Sequence, residues 1–262
     1  MSPESAPALP PSPPPLAVQS EQPQISGMNE AARLVGVFFS PGKAFADIAR
    51  RPRWWVPVIL IAILSTIYLT AFTRIVGWES VIRPSIEQLP NAQAMTAQQR
   101  EQMITTAAGF YKYVGYASVL TTLFYVFVVA VILMFLFDTM MSASIGLKRM
   151  MAIVAYGCLP LMIQTALSMV VLFLKDPEEF NLRNPLMFNV GAYLSPDSPA
   201  VLRALGSSID LFTFWIIVLL AIGVSAAGRK ISVGKAFFAI AALWAVFVCL
   251  KVAAAAAGMQ VS

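Results

Sequence analysis

Histidine is absent from the 262 residues of this chain. Metal sites built on imidazole and nucleophiles activated by a histidine base are therefore excluded. The two cysteines, Cys158 and Cys249, lie inside apolar segments, where a thiol usually acts as a small packing residue. No catalytic residue, cofactor or metal site is predicted, and we expect the protein not to be an enzyme.

Charged residues are also scarce, at 12% of the chain, whereas 58% of the residues are hydrophobic and the mean hydropathy is +0.74. Soluble domains carry about 25% charged residues, so the composition predicts a membrane protein with several spans. The net charge of +5 comes from basic residues beside apolar segments rather than from a stripe on a polar domain. The lipid bilayer, and anionic lipid in particular, is therefore the predicted partner, and nucleic acid is not.

An uncharged run at residues 56–73 follows a group of basic and aromatic side chains. The group consists of Arg50, Arg51, Arg53, Trp54 and Trp55. A helix over residues 54–77 is about 36 Å long, enough to cross a hydrocarbon core of about 30 Å. Arginines resist translocation, and tryptophan rings favour the headgroup layer. These five residues are predicted to anchor the start of the first span at the cytoplasmic interface.

Four further apolar runs follow the first span. They lie near residues 113–136, 150–174, 211–227 and 234–257. Thr96 and Gln99 have the spacing of a capping box, so a helix is predicted to begin at Ala97, from where it can continue into the second span. Together the runs predict an all-α membrane protein with a five-helix transmembrane bundle over residues 54–258.

The chain before the first span divides into two parts. Residues 1–26 are rich in proline and serine without apolar periodicity, which predicts a disordered, Pro-rich cytoplasmic tail. Residues 27–53 instead predict two short amphipathic helices. Asn29 is the candidate N-cap of the first helix, and Ser40-Pro41 opens the second.

Two placements of these amphipathic helices are consistent with their sequence. Their basic residues, Arg33 and Lys43 among them, suit helices that lie flat at the membrane interface with Phe38 and Phe45 in lipid. The second placement packs the helices on the cytoplasmic ends of the bundle. The sequence does not favour either placement over the other.

The third apolar run carries Pro160 near its middle. Proline removes a backbone donor and bends a membrane helix, and the carbonyl that it frees needs another partner. Gln164 and Thr165 lie about one turn further on and are candidates for hydrogen bonds to a neighbouring helix. The three residues form a candidate polar mid-membrane group. A structural kink is the favoured interpretation over a pocket or hinge, because no ionisable residue joins the group.

The distribution of basic residues predicts the orientation. With a cytoplasmic N-terminus, ten of the 18 basic residues face the cytoplasm. They are Arg33, Lys43, Arg50, Arg51, Arg53, Lys148, Arg149, Arg229, Lys230 and Lys235. The other eight are spread over two long loops and helix ends on the opposite side, so the bias per residue of loop is clear. Five spans then place the C-terminus outside.

Three stretches carry a family resemblance. They are FFSPGKAF at residues 38–45 followed by Arg51-Pro52, AYGCLP at residues 155–160, and IDLF at residues 209–212 followed by Trp215, by AIG at residues 221–223 and by Lys235-Ala236. In order and spacing they resemble the Yip1 domain family, in its prokaryotic form, over about residues 30–258. The resemblance implies a five-helix membrane bundle with a cytoplasmic N-terminus. Eukaryotic relatives act in vesicle traffic and bind Rab-type GTPases, but the acidic-aromatic Gly-Pro motif of their cytoplasmic region is missing here, which leaves a small-GTPase partner doubtful.

The leading functional hypothesis is a non-enzymatic multi-pass protein of the bacterial inner membrane that organises membrane or scaffolds partner proteins. The competing hypothesis is a small-molecule permease or transporter subunit, in which the group at Pro160 forms the substrate or gating region. An intramembrane hydrolase is least favoured. Its candidate carboxylate pair, Asp138 and Asp210, lies at span ends that the predicted topology puts on opposite faces.

Overall fold

The computed structural model describes residues 27–89, 91–177, 180–182, 184–195, 197–228 and 230–259. The predicted tail of residues 1–26 lies outside these ranges. The described part consists of helices and their connections, and its only β pairing is an isolated bridge between Asn189 and Asp210. The predicted all-α class is confirmed.

The α-helices are numbered in chain order. They are α1 (Glu30–Phe39), α2 (Pro41–Arg50), α3 (Trp55–Ile75), α4 (Trp78–Glu87), α5 (Ala97–Met134), α6 (Leu147–Gly157), α7 (Pro160–Leu174), α8 (Ala200–Ser208), α9 (Leu211–Ala227) and α10 (Val233–Ala256). A π-helical turn, Phe135–Met140, continues α5, and short 3₁₀ helices cover Ala92–Ala94 and Val190–Tyr193.

Within the described ranges, four helical segments are long and apolar enough to cross a membrane. They are α3, α5 with its π-helical turn, α6 together with α7, and α10. The bounds of α9 coincide with the predicted fourth run, but this helix has 17 residues. Its length of about 25 Å is near the lower limit for a span. Four of the five predicted spans are therefore long enough to cross a membrane on their own. The remaining one, predicted at residues 211–227, is the shorter apolar helix α9.

The long helix α5 begins where the sequence predicts. Thr96 accepts a hydrogen bond from the backbone of Gln99 at 3.2 Å, and the Gln99 side chain accepts one from the Thr96 backbone at 2.9 Å, which completes the capping box. The helix runs for 38 residues, about 57 Å, and so exceeds the thickness of a bilayer. The sequence did not predict α4, which contains Pro84 and packs on the first turns of α5.

Helices α8 and α9 follow one another along α10. The rings of Phe214 and Trp244 have their centroids 5.3 Å apart, and Lys251 donates to the Ser207 hydroxyl at 3.2 Å. The first part of α10 thus contacts α9, and the part nearer its end contacts α8. Asp210 separates the two helices and caps α9 by accepting from the Thr213 backbone at 3.0 Å. The two short helices together cover one side of α10.

Helices α1 and α2 form a hairpin, the N-terminal hairpin, that packs on α6 and α9. The side chains of Val37, Phe45 and Ile48 are fully buried in the main core. Phe38 lies edge-on against Trp215 of α9, with ring centroids 5.7 Å apart. Of the two placements that the sequence leaves open, the structure shows packing on the bundle. Phe38 and Phe45 both pack against protein side chains.

Candidate functional site

One charged side chain is buried where the hairpin meets the bundle. Arg33 of α1 is only 1% exposed. Its Nε donates to Asp47 Oδ2 at 2.7 Å, and its Nη1 donates to Glu30 Oε1 at 3.0 Å and to the Arg51 carbonyl at 3.1 Å. The guanidinium thus joins α1 to both α2 and the segment that follows it. The sequence analysis placed Arg33 among the interfacial basic residues, and the structure corrects this by pairing it inside the protein.

A tyrosine of α6 extends this ionic group into the bundle. The Tyr156 hydroxyl donates to Glu30 Oε2 at 2.6 Å, while Arg53 Nη1 donates to Glu30 Oε1 at 3.1 Å. We call the four residues Glu30, Arg33, Asp47 and Tyr156 the docking cluster. It links α1, α2 and α6, and through Arg53 it reaches the start of α3.

The docking cluster places two carboxylates around one guanidinium, and Arg53 adds a second positive charge beside Glu30. Burial disfavours the charged form of Arg33, but the hydrogen bond to Asp47 and the negative charges of Glu30 and Asp47 outweigh it, so the pKa of Arg33 is raised above its ordinary value. A guanidinium held by two carboxylates and a carbonyl keeps its charge and its position. The geometry therefore fits a structural anchor that fixes the hairpin, because both carboxylates and the Tyr156 hydroxyl are engaged within the cluster.

The sequence does carry a signal for this burial. Arg33 and Val37 are four residues apart, so they lie on the same face of α1. An arginine on the apolar face of a short helix, with an acidic residue three positions before it, indicates an internal ion pair. The partner Asp47 is 14 residues away in the chain, and its pairing with Arg33 depends on the hairpin turn at Ser40.

The predicted interface anchors occupy two different environments. Arg50, Arg51 and Arg53 are exposed, although Arg53 also holds Glu30. Trp54 packs against the main core, whereas Trp55, the first residue of α3, is half exposed. The five residues thus form a continuous basic and aromatic border between the hairpin and α3.

The candidate mid-membrane group lies at an interruption of the helix. Pro160 is the first residue of α7, and α6 ends three residues earlier at Gly157. The carbonyl that Pro160 leaves without its usual donor belongs to Tyr156, and it accepts from the Leu159 backbone at 3.2 Å. The Tyr156 carbonyl thus finds its donor within the same segment, through a tighter turn of the 3₁₀ type.

Thr165 and Gln164 make no bridge to a neighbouring helix among the described residues. The Thr165 hydroxyl donates to the Leu161 carbonyl of its own helix at 2.8 Å. The Gln164 side chain is partly exposed and has no hydrogen-bond partner in the part of the chain that the structure describes. The three residues are neighbours along α7, but they do not converge on a shared site.

A cavity of about 280 Å³ lies beyond the other end of α7. Its lining includes Val171, Lys175, Asn184 and Arg203. It starts more than one helical turn past Thr165, so it does not extend to the mid-membrane group. No group of histidine, cysteine or acidic side chains suited to a metal ion occurs in the described ranges.

Comparison with known proteins places this arrangement in a family. No curated protein and no solved structure matches the chain. A family model described as the Yip1 domain, however, matches residues 35–254. The matched range starts within α1 and ends within α10, so it takes in the second half of α1, all of α2 and most or all of each apolar helix. The chain therefore belongs to the Yip1 domain family and is a multi-pass membrane protein.

Proposed function

We infer that this protein is a non-enzymatic member of the Yip1 family that organises membrane or scaffolds partner proteins. The observation that carries the proposal is the docking cluster. It fixes two amphipathic helices to the bundle and leaves Lys43, Arg50 and Arg51 exposed on them. A rigid basic platform of this kind suits recognition of an acidic surface, whether of lipid headgroups or of a partner protein.

The proposed topology has five spans in a bacterial inner membrane, with a cytoplasmic N-terminus and the C-terminus outside. Basic residues support it at the starts of three helical segments: Arg53 before α3, Lys148 in α6 and Lys235 in α10. The fourth span consists of α9 extended by α8, because the two helices follow one another along α10. Together they reach from Ala200 to Ala227, which is ample for a crossing.

Anionic lipid is the proposed nonprotein partner. The proposal includes no small-GTPase partner, because the acidic-aromatic Gly-Pro motif found in the cytoplasmic region of the eukaryotic relatives is missing from the sequence. It includes no nucleic acid, because the exposed basic residues lie beside apolar helices.

The alternative, a permease or transporter subunit, is favoured by one observation. Two apolar segments are discontinuous, α6 with α7 and α8 with α9, and broken helices line the substrate sites of many transporters. Side chains fill the first break, since Cys158 and Leu159 are buried and Gly157 is in contact with Leu220. This packing favours the scaffold proposal.

Two matched double variants test the scaffold proposal. Arg50→Gln with Arg51→Gln removes two exposed charges from the hairpin, and Lys148→Gln with Arg149→Gln removes two exposed charges from the start of α6. Each protein is purified in mild detergent, and its bound lipids and proteins are identified by mass spectrometry. We expect the hairpin variant to lose anionic lipid or protein partners that the α6 variant keeps. Equal recovery from both variants and from the unaltered protein would contradict the proposal.

A further inference from the structure

The level of the membrane interface can be traced from α3 across the bundle. Trp55 opens α3, and near the other end of this helix Phe72 shares a small core with Leu172 of α7. Phe72 lies 17 residues after Trp55, and Leu172 likewise lies 17 residues after Ala155. Ala155 and its neighbour Tyr156 therefore lie near the level of Trp55, where tryptophan marks the headgroup layer.

The same level continues into α9. A Cβ atom on Gly157 would lie 2.7 Å from Leu220, and one on Gly223 would lie 2.6 Å from Ile153. Ile153 thus lies beside Gly223 and Gly157 beside Leu220, so the residue numbers of α9 fall as those of α6 rise. The two helices are antiparallel. From Leu220 towards the start of α9, the chain therefore enters the hydrocarbon layer.

The tip of the N-terminal hairpin reaches past this level. Phe38 packs on Trp215, which lies five residues beyond Leu220, or about 7 Å deeper. Phe45, by contrast, lies beside Gly223, on the headgroup side of Leu220. The hairpin therefore points into the leaflet tip first instead of lying flat on it.

The tip exposes an aromatic side chain at this depth. Phe39 is 83% exposed, although Phe38 beside it is packed against the bundle. Lys43 lies one turn along α2 and is also exposed, at about the level of the headgroups. An apolar tip followed by a cation matches the order of acyl chain and phosphate in an anionic phospholipid.

We propose that Phe39 inserts into the acyl chains of the leaflet in which α3 begins, with Lys43 on the phosphate of an anionic lipid. Lipid is the occupant because the tip packs on Trp215 of α9, an apolar helix of the proposed fourth span that exposes Leu211 and Val218. The inference deepens the proposed membrane-organising function and rests on it, since a hairpin that occupies one leaflet displaces lipid from that leaflet alone.

Fluorescence quenching measures the depth of the tip directly. Single labels of an environment-sensitive dye are attached through Phe39→Cys, Arg50→Cys or Ile63→Cys in a Cys249→Ser background, and the protein is placed in vesicles that contain phosphatidylglycerol. Ile63 is an exposed residue of α3 and serves as the hydrocarbon control, while Arg50 is the aqueous control. The Cys249→Ser parent measures any reaction of the buried Cys158 thiol.

We expect the label at position 39 to be quenched by brominated acyl chains to the extent seen at position 63, and to be severalfold less accessible to iodide than the label at position 50. Iodide access equal to that at position 50 would overturn the proposal. Protection from both quenchers would also overturn it, since protein would then cover the tip. The measurement uses purified protein without partners, so its failure is distinct from the equal partner recovery that would refute the scaffold proposal.

Discussion

The Tyr156 hydroxyl donates a hydrogen bond to Glu30 at 2.6 Å across 126 positions of sequence. Tyr156 belongs to α6, and Glu30 opens α1. This hydrogen bond is a direct polar link between the N-terminal hairpin and the bundle. Because Glu30 also holds Arg33 and Arg53, a change at either end of the link alters how firmly the hairpin is docked.

Tyr156→Phe should weaken docking without unfolding the protein. The substitution removes one hydrogen bond to a charged group, worth about 1.5 to 3 kcal/mol, while Glu30 keeps its two arginine partners. We expect faster tryptic cleavage after Arg50 and a lower midpoint of thermal unfolding in detergent. Tyr113→Phe is the control, because Tyr113 is exposed on α5. Equal effects of the two variants would show that the hydrogen bond does not hold the hairpin.

Arg33→Leu should be more damaging. It leaves Asp47 without its buried cation, and breaking a buried pair by removing one partner costs about 3 to 5 kcal/mol. We expect low yield and rapid cleavage of the hairpin, and partial rescue when Asp47→Asn is added. Arg83→Leu removes the cation of an exposed ion pair with Glu101 and should have little effect. A stable Arg33→Leu protein with a protected hairpin would contradict the role of the docking cluster.

Gly223→Ala tests the apolar side of the same interface. A Cβ at this position would lie 2.6 Å from Ile153 and 3.0 Å from Phe45, so the hairpin or α6 must shift. Overpacking of this kind costs about 1 to 3 kcal/mol. Gly234→Ala at the start of α10 is the matched control, since a Cβ there meets no atom within 4 Å. We expect Gly223→Ala to unfold at a lower temperature and to be digested faster than Gly234→Ala. Equal behaviour of the two variants would contradict the close packing of α9 against the hairpin and α6.

Local patterns made the individual helices predictable. Asn29 caps α1, the capping box at Thr96 opens α5, and the predicted fourth run has the bounds of α9. These features depend on residues within one or two turns of each other, and one sequence contains all the information that they need. The family was recognised in the same way, from short stretches in a fixed order.

The relations between distant residues were not predictable. Arg33 was assigned to the membrane interface because a basic residue on a short amphipathic helix usually lies there. Its burial depends on Asp47 across the hairpin and on Tyr156 of α6, and nothing in the spacing of these residues brings them together. Helix α8 is not predicted for a similar reason, since no local pattern in the sequence indicates that it packs along α10 beside Lys251.

The proposed topology predicts the activity of reporter fusions. An alkaline phosphatase fused after Arg149 or Lys230 should be inactive, because these positions are expected in the cytoplasm. Fusions after Gln98 or Ser198 should be active. An active fusion after Ser198 together with an inactive fusion after Lys230 would indicate that α8 and α9 together cross the membrane as one span. Periplasmic activity after Arg149 or Lys230 would overturn the topology.

The mid-membrane group provides the sharpest comparison between the scaffold and the transporter. The Gln164 side chain has no hydrogen-bond partner among the described residues, and even a typical interhelical bond in membranes averages only about 0.6 kcal/mol. Gln164→Leu should therefore insert and fold normally. Under the scaffold proposal it also keeps its partners, whereas Arg50→Gln with Arg51→Gln loses them.

A transporter reverses this ranking. A partly buried amide that faces a substrate contributes far more to selectivity than to stability, because an unsatisfied polar group on the substrate is strongly disfavoured. The two variants are therefore compared for insertion, for partner recovery and for complementation of a deletion strain. A Gln164→Leu protein that inserts normally but fails to complement, beside an active hairpin variant, would refute the scaffold. It would instead indicate a transport pathway along α7, next to the break at Pro160.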